Sequence, residues 1–347
     1  MIRIGIVGIG FMGMIHYLAA RNLKGAKVTA LCSRDPKKLA GDWRSIRGNF
    51  GPPGEMMDLG SIKKYDRPEK LLADPDIDLI DICNPTHLHP ATALQALNAG
   101  KHVLCEKPLA SNEAEAKEMF SAARATGKTL IEAFMYRAHP QTREVLQKIR
   151  GGAIGEVKMI RSSFCYRTNR IDGNIRFDSA LAGGALMDIG CYCINFSRAI
   201  AGADVVDVHA SGVLHERGVD ELVVGNLKFA NGVVASFTCG MRIQADNSAY
   251  ICGTEGYFEV PWPWKPQPRG AKYWIKRSAP PRQDGGKTDT PPAEEFEVNA
   301  GMDLYALEAD DFAETISRGH QPMVSEQETM ATMKVLDEMR KQVGVKL

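Results

Sequence analysis

A chain of 347 residues, 44% hydrophobic and 24% charged, is too long for one ordinary core and of the length expected for two domains. A formal net charge of +1, with acids and bases interspersed, excludes the electrostatic footprint of a nucleic-acid or anionic-membrane binder, and no apolar run approaches the ~20 residues of a membrane span. The N-terminus enters a strand pattern at once, without an apolar signal region, so a cytoplasmic location is expected. The eight cysteines lie mostly in apolar stretches with no C-x-x-C pair and no histidine at zinc-ligand spacing. They read as reduced, buried thiols, and no metal is expected.

The first third alternates short apolar runs with helical periodicity. Strands are predicted at residues 2–7, 27–32, 79–83 and 101–105, with a helix to about residue 23 and another over 90–99 that stops at Gly100. Ser111 and Asn112 precede an Ala- and Glu-rich helix ending near Gly127, and Thr129-Leu130-Ile131 begins a last strand. Residues 43–60 form a loop longer than such units need. This βαβ rhythm predicts a Rossmann-like parallel sheet with helices on both faces. From about Gly155 strands follow in series, at 156–163, 205–213, 222–229, 233–239 and 257–260, with one helix at roughly 185–201. That order predicts an open-faced, mostly antiparallel sheet domain. Residues 261–292 read as an irregular loop around a short strand near Tyr273, and two helices close the chain at about 304–317 and 326–343. The expected fold is α/β plus α+β, divided as a dinucleotide-binding domain at 1–134, a substrate-binding and oligomerisation sheet domain at 135–302, and C-terminal helices at 303–347 that pack back toward the first domain.

Gly8-Ile9-Gly10-Phe11-Met12-Gly13 fits G-x-G-x-x-G between the first strand and its helix. Gly8 allows a tight turn, Gly10 lets backbone approach a pyrophosphate, and Gly13 brings helix and strand together. Ile9, Phe11 and Met12 complete the cofactor-facing turn, at a helix N-terminus that favours anionic oxygens. The second strand ends Ser33-Arg34, where an NAD-selective site usually carries an acid. Ser33 and Arg34, with Lys37 and Lys38 nearby, suit a 2′-phosphate, so NADP is the expected cofactor, with NAD possible. Asp35 is the counter-argument, unless it caps the helix that starts at Pro36.

Glu106-Lys107-Pro108 projects from a strand end, the edge where open α/β sheets bind ligands. Asn84 and Pro85 leave another strand end and are expected on the nicotinamide-ribose side, with His89 behind them. Asp188 and Tyr192 stand four apart on a predicted helix and share a face. By spacing alone the reading as a helix-dipole acid and a core aromatic is favoured. Arg137 and Arg176 are candidates for cofactor or substrate contacts, while His16 and His139 read as structural.

The glycine fingerprint, Asn84-Pro85-Thr86-His87-Leu88-His89, the 100–109 segment carrying Glu106-Lys107-Pro108, Gly183-Gly184-Ala185-Leu186-Met187-Asp188-Ile189-Gly190-Cys191-Tyr192, Glu132-Ala133-Phe134-Met135-Tyr136-Arg137 and Gly253-Thr254-Glu255-Gly256 occur in order along the chain. On these motifs the sequence resembles the glucose-fructose oxidoreductase, inositol dehydrogenase and MocA family, nearest the branch of dihydrodiol dehydrogenase and NADP-dependent D-xylose dehydrogenase. The resemblance implies that Lys107, Asp188 and Tyr192 surround the substrate carbon that faces the nicotinamide. It also implies a homodimer or homotetramer formed through the C-terminal sheet and a small carbohydrate-like substrate held between the domains.

The implied reaction is hydride transfer between nicotinamide and a sugar, polyol or diol carbon, with Tyr192 as acid/base. An unperturbed phenol, pKa near ~10, is a poor proton carrier at neutral pH, and a nearby ammonium such as that of Lys107 lowers it. Other readings remain open at this point. They are the same scaffold used for transient NAD-assisted elimination or glycosidase chemistry, a tightly held cofactor cycling between two sugars, and a non-catalytic NADP-binding sensor.

Overall fold

The computed structural model describes residues 1–48, 50–279 and 289–346. The chain forms two compact units, Met1–Ala138 with Met302–Met330, and His139–Gly301 with Ala331–Leu347.

The first unit runs β1 (Ile2–Val7), α1 (Phe11–Ala19), β2 (Ala26–Cys32), α2 (Pro36–Leu39), β3 (Lys63–Tyr65), α3 (Pro68–Leu72), β4 (Leu79–Ile82), α4 (His89–Asn98), β5 (His102–Glu106), α5 (Glu113–Thr126) and β6 (Leu130–Ala133). Its six strands lie in the order β3-β2-β1-β4-β5-β6, all parallel. That is the doubly wound dinucleotide-binding order, with its switch point between β1 and β4. Every residue of β4 is buried, as a central parallel strand covered on both faces requires. Local chemistry sets the helix ends. Asn112 accepts from the Glu115 amide, and Gly127 closes α5 at φ +65°, an N-cap and a left-handed stop.

Two elements here carry no expectation from the sequence. β3 is three residues of Lys-Lys-Tyr on the sheet edge, too short and too charged to show a period, and α3 is a single Pro-initiated turn. The loop 43–60 is anchored to the helical side. Trp43 is fully buried, donates its indole N–H to the Lys38 carbonyl at 2.9 Å and meets Tyr17 edge-on at 5.1 Å.

The second unit runs α6 (Pro140–Arg150), β7 (Val157–Cys165), α7 (Cys191–Ala201), β8 (Val205–Leu214), β9 (Asp220–Phe229), β10 (Val234–Gly240), β11 (Ala249–Gly253), β12 (Tyr257–Val260), β13 (Ala271–Lys276) and β14 (Glu294–Val298). The eight-stranded order is β14-β13-β12-β11-β7-β10-β9-β8. It is antiparallel apart from the central β7/β10 pair. Ile160, Phe237, Ile251, Phe258 and Tyr273 are buried and form the covered face. On the other face Val213, Val224 and Val234, all 44–48% exposed, share one side by register. The sequence reading did not anticipate α6, β11 or β14, and part of its irregular 261–292 segment, residues 280–288, lies outside the described residues.

Two helices follow, α8 (Leu304–Arg318) and α9 (Glu326–Gln342). In the first unit the Asp310 carboxylate of α8 accepts the Lys24 and Gly25 amides at about 3 Å, pinning α8 to the turn before β2. In the second, Gln342 at the end of α9 bridges Val208 and Ala210 of β8. Among the described residues no helix is long and apolar enough to cross a membrane.

Candidate active site

The glycine turn is shaped for a pyrophosphate. Gly8 sits at φ +101°, and a Cβ there would lie 2.8 Å from the Asn84 amide nitrogen. At Gly13 a Cβ would reach within 2.0 Å of the Gly8 carbonyl oxygen, whereas a Cβ at Gly10 would meet nothing within 4 Å. The outer glycines are needed for packing, and the middle one borders open space, which is the approach a dinucleotide requires. Helix α1 starts behind it with Gly10 as N-cap, no side-chain cap and no acid in its first turn, so its amide dipoles remain available to an anion. Ile9 is buried, and Phe11 and Met12 are half-buried.

At the end of β2, the Ser33 amide donates to the Tyr65 carbonyl and its hydroxyl accepts the Asp35 amide at 3.2 Å. Arg34 is exposed. Asp35 accepts from Lys37 N–H at 2.9 Å as the N-cap of α2. The acid that argued for NAD is thus engaged in capping, and the basic residues are left at the ribose end of the cradle.

The carboxyl ends of β4 and β5 lie on the same edge of the sheet as this turn. Asn84 donates to the Thr92 hydroxyl at 2.9 Å, while its amide oxygen is buried with no protein partner. An orphaned acceptor beside the cradle suits a donor on the cofactor. Pro85 follows it, half-buried. His89, 1% exposed, lies 2.9 Å from the Asn84 carbonyl and 3.1 Å from that of Pro108, tying two strand ends together. Glu106 is buried and accepts the Lys107 amide at 3.1 Å. Lys107 is half-buried and joined to Pro108 by a cis peptide. Arg137 is 8% exposed and engages Glu328 and the Met323 carbonyl, each at 2.9 Å, clamping the segment before α9.

Of the buried carboxylates here, Glu106 stood among the sequence candidates and Glu132 did not. Glu106 also faces His16, discussed below. Glu132, fully buried, accepts the Leu109 amide at 3.0 Å and the Thr329 hydroxyl at 2.8 Å. Burial pushes its pKa up to about 7. A folded-state value above the unfolded one means that the folded chain holds this proton longer. The stabilisation is therefore full below about pH 4.5 and is lost as pH rises to about 7. Glu132→Gln should raise Tm relative to wild type at pH 8 but not at pH 4.5, the difference reaching roughly 3 kcal/mol. Equal shifts at both pH values would contradict the assignment.

In the second unit the helix carrying Asp188 and Tyr192 opens with a π turn, Leu186–Gly190, before α7. The sequence expected α-helical spacing throughout. The difference arises where Asp220, fully buried, accepts the Leu186 amide at 2.7 Å against Gly184 at φ +117°, where a Cβ would strike the Asp220 carboxylate at 2.1 Å. Such insertions concentrate at functional positions.

Asp188 Oδ2 accepts from Tyr166 Oη at 2.8 Å and from Arg176 Nε at 2.7 Å. Burial, with the Asp188 charge, pushes the Tyr166 phenol up, and Asp188 raises Arg176. Both groups therefore stay protonated and donate. Tyr192, 4% exposed, sits in an aromatic corner with Phe164 at 5.3 Å and Trp264 at 6.2 Å. Phe164 and Trp264 stack at 5.6 Å, and the Trp264 indole is fixed by its N–H bond to the Ser163 carbonyl at 2.8 Å. Tyr166, Phe164 and Trp264 were not foreseen, because each meets its partner across more than 20 residues of chain. The strand alternation that sets Phe164 and Tyr166 on one face was the available signal.

Comparison with known proteins agrees with this construction. Residues 2–134 match the oxidoreductase family with an NAD-binding Rossmann fold, and residues 142–259 match the GFO/IDH/MocA C-terminal domain. The chain is 34% identical over 82% of both chains to mouse trans-1,2-dihydrobenzene-1,2-diol dehydrogenase. It is 31% identical, over 98% of its length and 96% of the relative's, to an uncharacterised oxidoreductase of Rhizobium meliloti. Among solved structures, a 3-ketoreductase from Actinomadura kijaniata in complex with NADP and TDP-benzene superposes with TM-score 0.82 at 28% identity, covering 98% of this chain and 97% of that one. The two family matches span residues 2–134 and 142–259, and the protein belongs to the GFO/IDH/MocA family of NAD(P)-binding oxidoreductases.

Proposed function

We propose that the protein is an NADP-dependent dehydrogenase that moves a hydride between the nicotinamide and a CH–OH carbon of a sugar, polyol or diol. The observation that carries this reading is the Asp188 carboxylate, held by Tyr166 and Arg176 four residues before Tyr192 in its aromatic corner. A sensor has no need of an oriented carboxylate and a phenol on one helical turn.

The cofactor would be held along Gly8 to Met12, Asn84 and Pro85, and when bound it would supply the carbon that takes or gives the hydride. The protein residues handle the proton and the pose. Tyr192 Oη accepts the proton of the substrate hydroxyl in oxidation and returns it in reduction. Lys107 Nζ favours the phenolate electrostatically and donates to the substrate oxygen. Asp188 accepts from a neighbouring substrate hydroxyl, with Tyr166 and Arg176 keeping the carboxylate ionised and aimed. Phe164 and Trp264 give the ring a flat apolar wall. The names of the relatives, a dihydrodiol dehydrogenase and a sugar ketoreductase, support a vicinal diol or sugar as substrate. The ketoreductase has been solved with a tyrosine changed to Phe and a lysine changed to Ala, which supports attention to the same two residue types here.

The exposed valines of β8, β9 and β10 favour a homodimer or homotetramer through the open sheet. The use of Asp35 as the N-cap of α2, with Arg34 exposed beside it, supports NADP over NAD. Arg34→Gln should weaken NADP binding about tenfold and leave NAD binding within about twofold. Nucleotide titration with a panel of aldoses, polyols and diols, read by reduced-nicotinamide absorbance, tests the whole reading. Turnover with NADP and one of these substrates is the expected result, and binding without turnover across the panel would favour a sensor.

A further inference from the structure

The first unit contains a buried charged cluster that the proposed reaction does not use. His16, on the inner face of α1 three residues past Gly13, places Nδ1 2.8 Å from Asp81 Oδ2 and Nε2 3.0 Å from Glu106 Oε1. The three side chains are 5–9% exposed. They come from α1, β4 and β5, the elements whose ends shape the cofactor cradle. Cys83 Sγ donates to Asp81 Oδ1 at 3.5 Å. The other oxygen of Glu106 accepts the Lys107 amide. From α8, Tyr305 lies over the imidazole at 5.2 Å, and Glu308 is 1% exposed with neither carboxylate oxygen hydrogen-bonded.

Burying this many ionisable groups is costly, and an apolar core of the same volume is commonly more stable. The arrangement therefore calls for a role. His16, Asp81 and Cys83 bring ligand-type atoms within 4.8 Å of one another, but each ring nitrogen already faces a carboxylate oxygen, and an ionised carboxylate can only accept. An imidazole between two acceptors must donate from both nitrogens, so it is the cation of the cluster. The groups around it agree. Burial opposes the His16 charge and Asp81 more than restores it, leaving the pKa well above the usual histidine value. Burial likewise opposes the Glu106 charge, yet the His16 bond and charge, with smaller contributions from Lys107 and His89, hold Glu106 below the usual carboxylate range. Glu308 is driven the other way by burial and by the Glu106 and Asp81 charges, so it keeps its proton.

We propose that His16 is a positioning residue for the cofactor, a permanent imidazolium that locks the ends of β4 and β5 to α1 and holds Glu106 ionised so that it fixes the Lys107 backbone. This rests on the reading of Glu106-Lys107 as a cofactor-facing strand end and assigns a part to a histidine that otherwise reads as core.

Two measurements test it, and neither needs turnover, so the failure of the hydride-transfer reading would leave them intact. The first is ¹⁵N NMR of histidine-labelled protein at pH 8.5. One doubly protonated ring among the eight histidines is expected, and eight neutral rings would overturn the proposal. The second is NADPH binding by fluorescence from pH 6 to 9, as the ratio of variant to wild-type Kd. For His16→Gln, Glu106 loses its cation and takes up a proton within this range, so the ratio should be about tenfold at pH 6 and fall toward pH 9. A flat ratio near one for His16→Gln would show a merely structural histidine. If that variant does not fold, the NMR measurement decides the proposal by itself, with eight neutral rings overturning it.

Discussion

Tyr192→Phe should lower the single-turnover rate of hydride transfer by about 10²–10⁴-fold, the usual contribution of a positioned proton carrier. NADP binding should stay within about twofold of wild type. The substitution removes one oxygen from a residue whose ring packs against Phe164 and Trp264, so the aromatic corner is kept and Tm should change little. A fall in kcat with KM unchanged is expected from the proposed role of the phenol as the proton carrier. Rates within a few-fold of wild type would remove Tyr192 from the mechanism and leave its ring as packing.

The second large effect is expected at Lys107. Lys107→Met keeps most of the length of the side chain and removes the ammonium proposed to favour the phenolate. Without it the phenolate is harder to form, so the rate of substrate oxidation at pH 7 should fall by about 10²-fold or more. The direction in pH distinguishes this role from simple binding. With the ammonium gone the working phenolate forms only at higher pH, so the alkaline rise in kcat should move upward and part of the activity should return by pH 9 to 10. A uniform loss at every pH would make Lys107 a substrate anchor with no influence on the proton carrier.

The two halves of this machinery differ in how readily the sequence reveals them. The cofactor half is local. Gly8, Gly10 and Gly13 are demanded by one turn, and Asn84, Glu106 and Lys107 lie at the carboxyl ends of buried strands, so periodicity alone carries them to the right edge of the sheet. The capping role of Asp35 was likewise visible in the Asp-Pro pair. The second unit was harder because its decisive contacts are distant in the chain. Asp188 finds Tyr166 and Arg176, and Tyr192 finds Trp264, only after β7 and the π turn are in place. β14 was missed because Glu294, Glu295 and Glu297 resemble a solvated stretch, yet they form an edge strand whose charges pair with Lys272 and Arg277, a common way of protecting such an edge. His16 illustrates a different limit. A histidine on a buried helix face is ordinarily core, and nothing in its neighbourhood in sequence announces the two carboxylates that β4 and β5 bring to its ring.

The central claim is direct hydride transfer to a nicotinamide from a carbinol carbon. It is tested most directly by supplying NADP with a diol or sugar substrate deuterated at that carbon and locating the label by mass spectrometry of the recovered nucleotide. Deuterium on the reduced nicotinamide, accumulating with wild type and not with Tyr192→Phe, is the predicted result. Substrate consumption with unlabelled, oxidised nucleotide at the end would contradict it and point to chemistry in which the cofactor is only transiently reduced.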